Sequence, residues 1–215
     1  MATVANPSRS LDQRIVLRGI DWQTYERILT DQADASAPRL TYDRGELEIV
    51  SPGTEHEREN RRLQILVEDV AHELGIEVDN VGSMTYRREE FARGFEPNSS
   101  FYIEHEPLVR GKCEIDPHVD PPPDLVIEIE ASRSAIPKLP IYAALGVPEV
   151  WRCDAERVVV LRLVGGDYEE VAASGALPVL TAEAINELLG ASRTLSRVAW
   201  RTMVRDWARA RRSAP

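Results

Sequence analysis

Residues 121–138 read PPPDLVIEIEASRSAIPK, and how this run is understood decides the fold. Its centre, DLVIEIE, is strand-like by its β-branched content. Alternation puts Leu125, Ile127 and Ile129 on one face and Val126, Glu128 and Glu130 on the other. One face is apolar and suited to a core; the other is acidic. A solvated edge strand would give the same alternation, so spacing by itself does not make the two glutamates ligands. Downstream, a short helix is expected over Pro140 to Leu145, ended by Gly146, followed by two strands, EVWRCD and RVVVLRLV.

Upstream, the clearest helix lies in SPGTEHERENRRLQILVEDVAHELG. There Leu63, Leu66, Val67, Val70 and Leu74 recur at helical spacing and Gly75 supplies the stop. Before it, DWQTYERIL reads as a short helix capped by Asp21, and RLTYDRGELEIV as two strands around a turn from Asp43 to Gly45. After it, IEVDNVGSMTYR reads as one strand, ARGFEPNS as a loop and SFYIE as another strand. The order of hairpin, long helix, several strands, short helix, two strands and terminal helices predicts an α+β (mixed α/β) domain. One central sheet is expected, flanked by helices.

The chain has 215 residues, 43% apolar and 29% charged, which suits one compact domain. No run approaches the roughly 20 apolar residues of a membrane span, and MATVANPSRSLDQR lacks the apolar core of a signal peptide. The default is a cytoplasmic protein with no membrane partner. Cys113 and Cys153 stand apart, without CxxC spacing or a neighbouring histidine, so neither a zinc site nor a disulfide framework is indicated. Residues 1–10 are expected to form a mobile tail.

The formal charge is −10, which argues against non-specific coating of nucleic acid, because that binding needs many phosphate contacts from lysine and arginine. From Arg193 to Pro215, however, seven arginines face the single acid Asp206. This local +6 leaves −16 on the rest of the chain. In the final helix Leu195, Ala199, Met203 and Trp207 are expected to form an apolar stripe. Arg197, Arg201, Arg205 and Arg209 are expected opposite it, as a solvent-facing ridge for phosphate or for an acidic patch of the same protein or a partner.

Glu128 and Glu130, joined by a polar residue of an adjacent strand such as Asn98, would suit Mg²⁺ or Mn²⁺, hard cations that prefer carboxylate and carbonyl oxygen. A nearby lysine would orient water or stabilise charge developing on a phosphate. That combination serves metal-assisted phosphodiester hydrolysis.

The ordered set YDRGELEIVSPGTEHE, GFEPNSSFYI, PPDLVIEIEAS, Lys138 and YAALGVPEVWRCD resembles the Uma-two family. This is a branch of the PD-(D/E)XK nuclease superfamily, and the likeness spans most of residues 15–165. The resemblance implies a restriction-endonuclease-like mixed sheet around an acidic, metal-binding centre, and a divalent-metal-dependent DNA endonuclease. DNA is then the partner, and a homodimer the state that cutting both strands favours. Over the matching positions it implies Glu128, Lys138 and His56 as catalytic residues, and Asn98 and Glu128 as metal residues with Mg²⁺ or Mn²⁺; Glu130, which stands where the superfamily usually has a lysine, joins the metal residues through the shared strand face. Residues 11–190 become the nuclease-like domain, with a basic amphipathic helix over 191–215 packed on it.

The departure from the family pattern is at residue 98, where EPN stands in place of an EPD-like segment. Losing one carboxylate lowers the charge of a metal site, and the alternative is a catalytically degenerate nuclease-fold binding or oligomerisation module. By strand parity Glu96 or Glu104 would compensate. Asp124 matches the PDL motif and reads as a strand-start residue, while His72, His105 and His118 match no ligand spacing.

Overall fold

The computed structural model describes residues 12–32, 38–130, 136–154 and 157–212; the tail expected over residues 1–10 lies outside them. In chain order the elements are β1 (Gln13–Arg18), α1 (Trp22–Gln32), β2 (Arg39–Asp43), β3 (Glu46–Ser51) and α2 (Thr54–Leu74). Next come β4 (Asp79–Gly82), β5 (Tyr86–Arg88), β6 (Arg93–Phe95), β7 (Ser99–Tyr102), α3 (Glu106–Val109) and β8 (Leu125–Ile129). The chain continues with α4 (Leu139–Ala144), β9 (Glu149–Cys153), β10 (Val158–Val164), β11 (Asp167–Val171), α5 (Ala182–Ala191) and α6 (Arg197–Arg212).

The domain is mixed α and β, as expected of a restriction-endonuclease-like fold, but its strands form two sheets rather than one. The first is antiparallel in the order β1-β3-β2-β6-β5; the second runs β11-β10-β9-β8-β7-β4, with β8 and β9 its parallel pair. Two local features split the sheet. The segment expected as one strand breaks after Gly82, so β4 pairs with β7 while β5 pairs with β6. The segment expected as a loop holds β6, which pairs with β2. The chain therefore crosses between sheets three times: through α2 from β3 to β4, before Tyr86, and after Phe95.

Local chemistry accounts for the elements that position the pocket. Arg44 and Gly45 both take positive φ between β2 and β3, the two-residue geometry that matches strand twist. Thr24 N–H donates to Asp21 Oδ1 at 2.7 Å and caps α1. Gly75, at φ 71°, ends α2 in the left-handed region; its N–H donates to His72 O, and Ile76 N–H donates to Ala71 O. All five residues of β8 are buried because the strand is covered on both faces. Leu125, Ile127 and Ile129 meet Leu63, Leu66, Val67 and Val70 of α2 on one side. Val126 packs with Ile141, Tyr142 and Phe95 on the other. Glu128 is thus a carboxylate inside the protein rather than on a solvated edge.

Gly94 of β6 shows how closely α1 lies on the first sheet, since a β-carbon there would collide with the Tyr25 hydroxyl. Gly94→Ala is expected to cost about 1–3 kcal/mol of stability, read from the midpoint of urea unfolding.

The C-terminal helix differs from its expected register by one position. Trp200, Val204 and Ala208 are its buried residues, and Leu195 precedes the helix and is exposed. Trp200 sets the face, because its indole N–H donates to Leu188 O at 2.8 Å. Three of the arginines consequently flank the contact with α2 instead of opposing it. Arg201 and Arg205 both donate to Asp69, and Arg209 donates to Glu73. Of the expected outcomes, the intramolecular one is realised for these three.

Candidate functional site

The crossover after β6 builds the site. Phe95 ends a strand of the first sheet and Ser99 begins one of the second, so residues 96–98 carry the chain between them. Glu96 stays with the first sheet: its carboxylate accepts Leu40 N–H at 2.6 Å and the Thr85 hydroxyl at 2.7 Å. Burial raises its affinity for a proton against the lowering effect of those hydrogen bonds. Glu104 is exposed. Neither supplies an acid to the pocket, so the expectation from parity fails; both lie on a chain that turns at the crossover instead of alternating through it.

Asn98 belongs to the second sheet. Its Oδ1 accepts Ile129 N–H at 2.8 Å, its backbone carbonyl accepts Asn60 Nδ2–H at 3.1 Å, and Asn60 Oδ1 in turn accepts the Ser99 hydroxyl at 2.8 Å. These contacts hold residue 98 beside the end of β8.

Glu128 projects from the face of β8 that looks away from α2. Lys138 Nζ donates to its Oε2 at 2.8 Å and the Tyr142 hydroxyl donates to its Oε1. Lys138 precedes α4 and Tyr142 lies one turn along it, so four-residue spacing presents both donors to one carboxylate. Burial, reinforced by the neighbouring Glu128 carboxylate, pushes the Tyr142 phenol well up, which keeps it a donor. Sequence reasoning missed Tyr142; the signal was the spacing in KLPIY.

One pocket is lined by Arg14, Arg39, Thr41, His56, Asn98, Glu128, Glu130 and Lys138, with Val50 and Ile129 as its apolar members. It brings together all five residues singled out from the sequence and adds the two arginines. Arg14 pairs with Glu48 at 3.0 Å, and Arg39 pairs with Glu57 at 2.7 Å. His56, in the first turn of α2, contacts Asp12 through Nδ1 at 3.0 Å and Asn98 through Nε2. Asp12 was also missed, for no local pattern links it to a histidine 44 positions away. A larger cleft of about 960 Å³ lies beside Trp22, Arg87 and Asp116, and holds none of these residues.

Asp124 lies outside the pocket lining. Its carboxylate accepts Ile103 N–H at 2.6 Å and His105 N–H at 3.0 Å, and pairs with the His105 ring at 2.5 Å, which ties down the loop after β7.

As a cation shell the donors fall short. Among the described residues no three His, Cys, Asp or Glu side chains converge as a metal-binding group. Glu128 is balanced by Lys138, and the one amide oxygen of Asn98 is occupied by the Ile129 backbone. Glu130 adds a carboxylate to the lining, but a hard divalent ion takes several anionic or carbonyl oxygens at once. The residues present do not fit such an ion. What they offer is three cations, Arg14, Arg39 and Lys138, each paired with a carboxylate, together with His56, Asn98 and the Glu130 carboxylate, around a cavity of about 20 Å³.

No helix among the described residues is long and apolar enough to cross a membrane. No curated protein matches the sequence. The family model Uma2, described as "Putative restriction endonuclease", matches residues 22–194, most of the chain; with its two helix-flanked sheets, the chain belongs to that nuclease family.

Proposed function

We propose that this chain binds a nucleic-acid phosphodiester on a nuclease fold in which metal-dependent cleavage has been lost. The observation that carries this reading is the state of residue 98. Where the family pattern has an acid there is an amide, and both of its ends are committed inside the protein. Lys138, with Arg14 and Arg39 on the pocket wall, supplies positive charge for phosphate, and Glu128 holds Lys138 in place. DNA is the partner in this reading. Residues 11–190 are taken as the nuclease-like unit, and the basic helix α6 (Arg197–Arg212) within the segment 191–215 serves its stability.

A second reading, a divalent-metal-dependent endonuclease, is favoured by the Glu128–Lys138 contact at 2.8 Å with Glu130 lining the same pocket. Mg²⁺ or Mn²⁺ would supply charge neutralisation at the phosphate.

The two readings separate in one series. The native chain is expected to show no change in melting temperature with Mg²⁺ or Mn²⁺ and no nicking of plasmid DNA, yet to retard short duplexes at low salt, with Lys138→Ala weakening that binding. Asn98→Asp adds an anionic oxygen and is expected to make melting Mn²⁺-dependent, by about 2–4 °C for each kcal/mol of binding. Mn²⁺-dependent nicking by the native chain that disappears in Glu128→Gln would replace the first reading with the second.

A further inference from the structure

Three contacts around His56 decide which ring nitrogen carries its proton. The Ile129 N–H is a donor only, so the Asn98 atom 2.8 Å from it is the amide oxygen, and Nδ2 is the atom that faces His56 Nε2. Arg39 Nη1, another donor, lies 3.4 Å from the same nitrogen. Two donors require a lone pair there, which places the proton of the neutral ring on Nδ1. That nitrogen lies 3.0 Å from Asp12 Oδ2, an acceptor. The other carboxylate oxygen of Asp12 accepts Gly53 N–H at 2.8 Å, at the start of α2, so backbone orients the carboxylate. The side chains of His56 and Asp12 are only 5% and 2% exposed, which keeps water from substituting for either partner.

We propose that Asp12 is a positioning residue that, through the tautomer of His56, dictates an amide rather than a carboxylate at position 98. Every donor in the chain from Ile129 through Asn98 and His56 points towards Asp12, so the one anion at its end polarises all the links. A carboxylate at 98 would set its lone pairs against the lone pair of a neutral Nε2, and relieving that clash by a second proton on the ring would bury an imidazolium between two carboxylates. Asn98 is therefore matched to its present surroundings. Asp12 lies ahead of residues 22–194, the part that matches the family, so the match itself does not contain this partner. The inference rests on the proposed function only in taking this pocket as the functional one, and its test uses neither DNA nor metal.

The full chain, labelled with ¹⁵N-histidine, is examined by two-bond ¹H–¹⁵N spectra at a pH where histidines are neutral. His56 is expected as the Nδ1–H tautomer, and in Asp12→Asn, whose amide can donate to Nδ1, as the Nε2–H tautomer. Asn98→Asp is expected to lower the folding equilibrium constant of the order of tenfold. In the Asp12→Asn background, where the switched ring can donate to the new carboxylate, most of that loss is expected to return. An Nε2–H tautomer in the native chain would overturn the proposal even if no variant folds, and so would losses that simply add. Coupling without DNA binding would leave the inference standing and remove the proposed function; DNA binding with additive losses would do the reverse.

Discussion

Glu128→Ala is expected to lower the unfolding free energy by about 3 kcal/mol. Glu128 is buried, and its two oxygens accept from Lys138 and Tyr142. Removing the carboxylate leaves an ammonium without its counterion, a buried phenol without an acceptor, and a void beside Val126. Glu128→Gln keeps the shape and one acceptor oxygen, and is expected to cost about 1–2 kcal/mol. Urea unfolding of the two variants reads both values. The same pair addresses binding. Glu128 is an anion 2.8 Å from the lysine proposed to meet phosphate, so its replacement by glutamine is expected to tighten binding of short duplex DNA a few-fold at low salt, with a smaller gain at high salt. Weaker binding in that variant would mean that Lys138 needs its partner more than it needs to be unpaired.

Asp69→Ala is expected to cost about 3 kcal/mol, or roughly 6–12 °C in melting temperature for a domain of this size. Asp69 is buried on α2 and accepts from both Arg201 and Arg205 of α6 at 2.7–3.0 Å. Burial by itself would raise its carboxyl, but the hydrogen bonds from the two arginines prevail and hold it below the ordinary 3.8. A folded-state value below the unfolded one contributes stability that is complete above about pH 3.8 and is lost as pH falls through the depressed value. The gap in melting temperature between native chain and variant is therefore expected to be full at neutral pH and to close on acidification below that point. A gap that does not change with pH would show that the loss is one of packing, not of charge.

Local periodicity carried the parts of the fold that local residues determine. The stripe of α2 and the alternation of β8 were legible because a covered helix or strand repeats its apolar residues at fixed spacing. Glu128 and Lys138 were legible through resemblance, and the four-residue step from Lys138 to Tyr142 was there to be seen. The second sheet was not, because the split depends on which strand each short segment pairs with, and three or four residues carry too little pattern to say. β11, DYEEV, was missed because it is a sheet edge with no buried residue. The one-position error in α6 came from giving Leu195 a place in the helix, when Trp200 and its hydrogen bond to Leu188 set the phase. Asp12 and His56 meet across 44 positions, and tertiary proximity of that kind leaves no trace in spacing.

The clamp between α2 and α6 orders events during synthesis. Asp69 leaves the ribosome more than a hundred residues before Arg201 and Arg205, its partners 132 and 136 positions further on. Until they arrive, α2 carries on the side later covered by α6 a carboxylate that cannot be buried alone and apolar residues awaiting Trp200 and Val204. The contact between α2 and α6 can thus close only after α6 has emerged. A stall ahead of Arg197 would leave a product whose longest helix displays an uncovered face to chaperones and proteases, a built-in mark of incomplete synthesis.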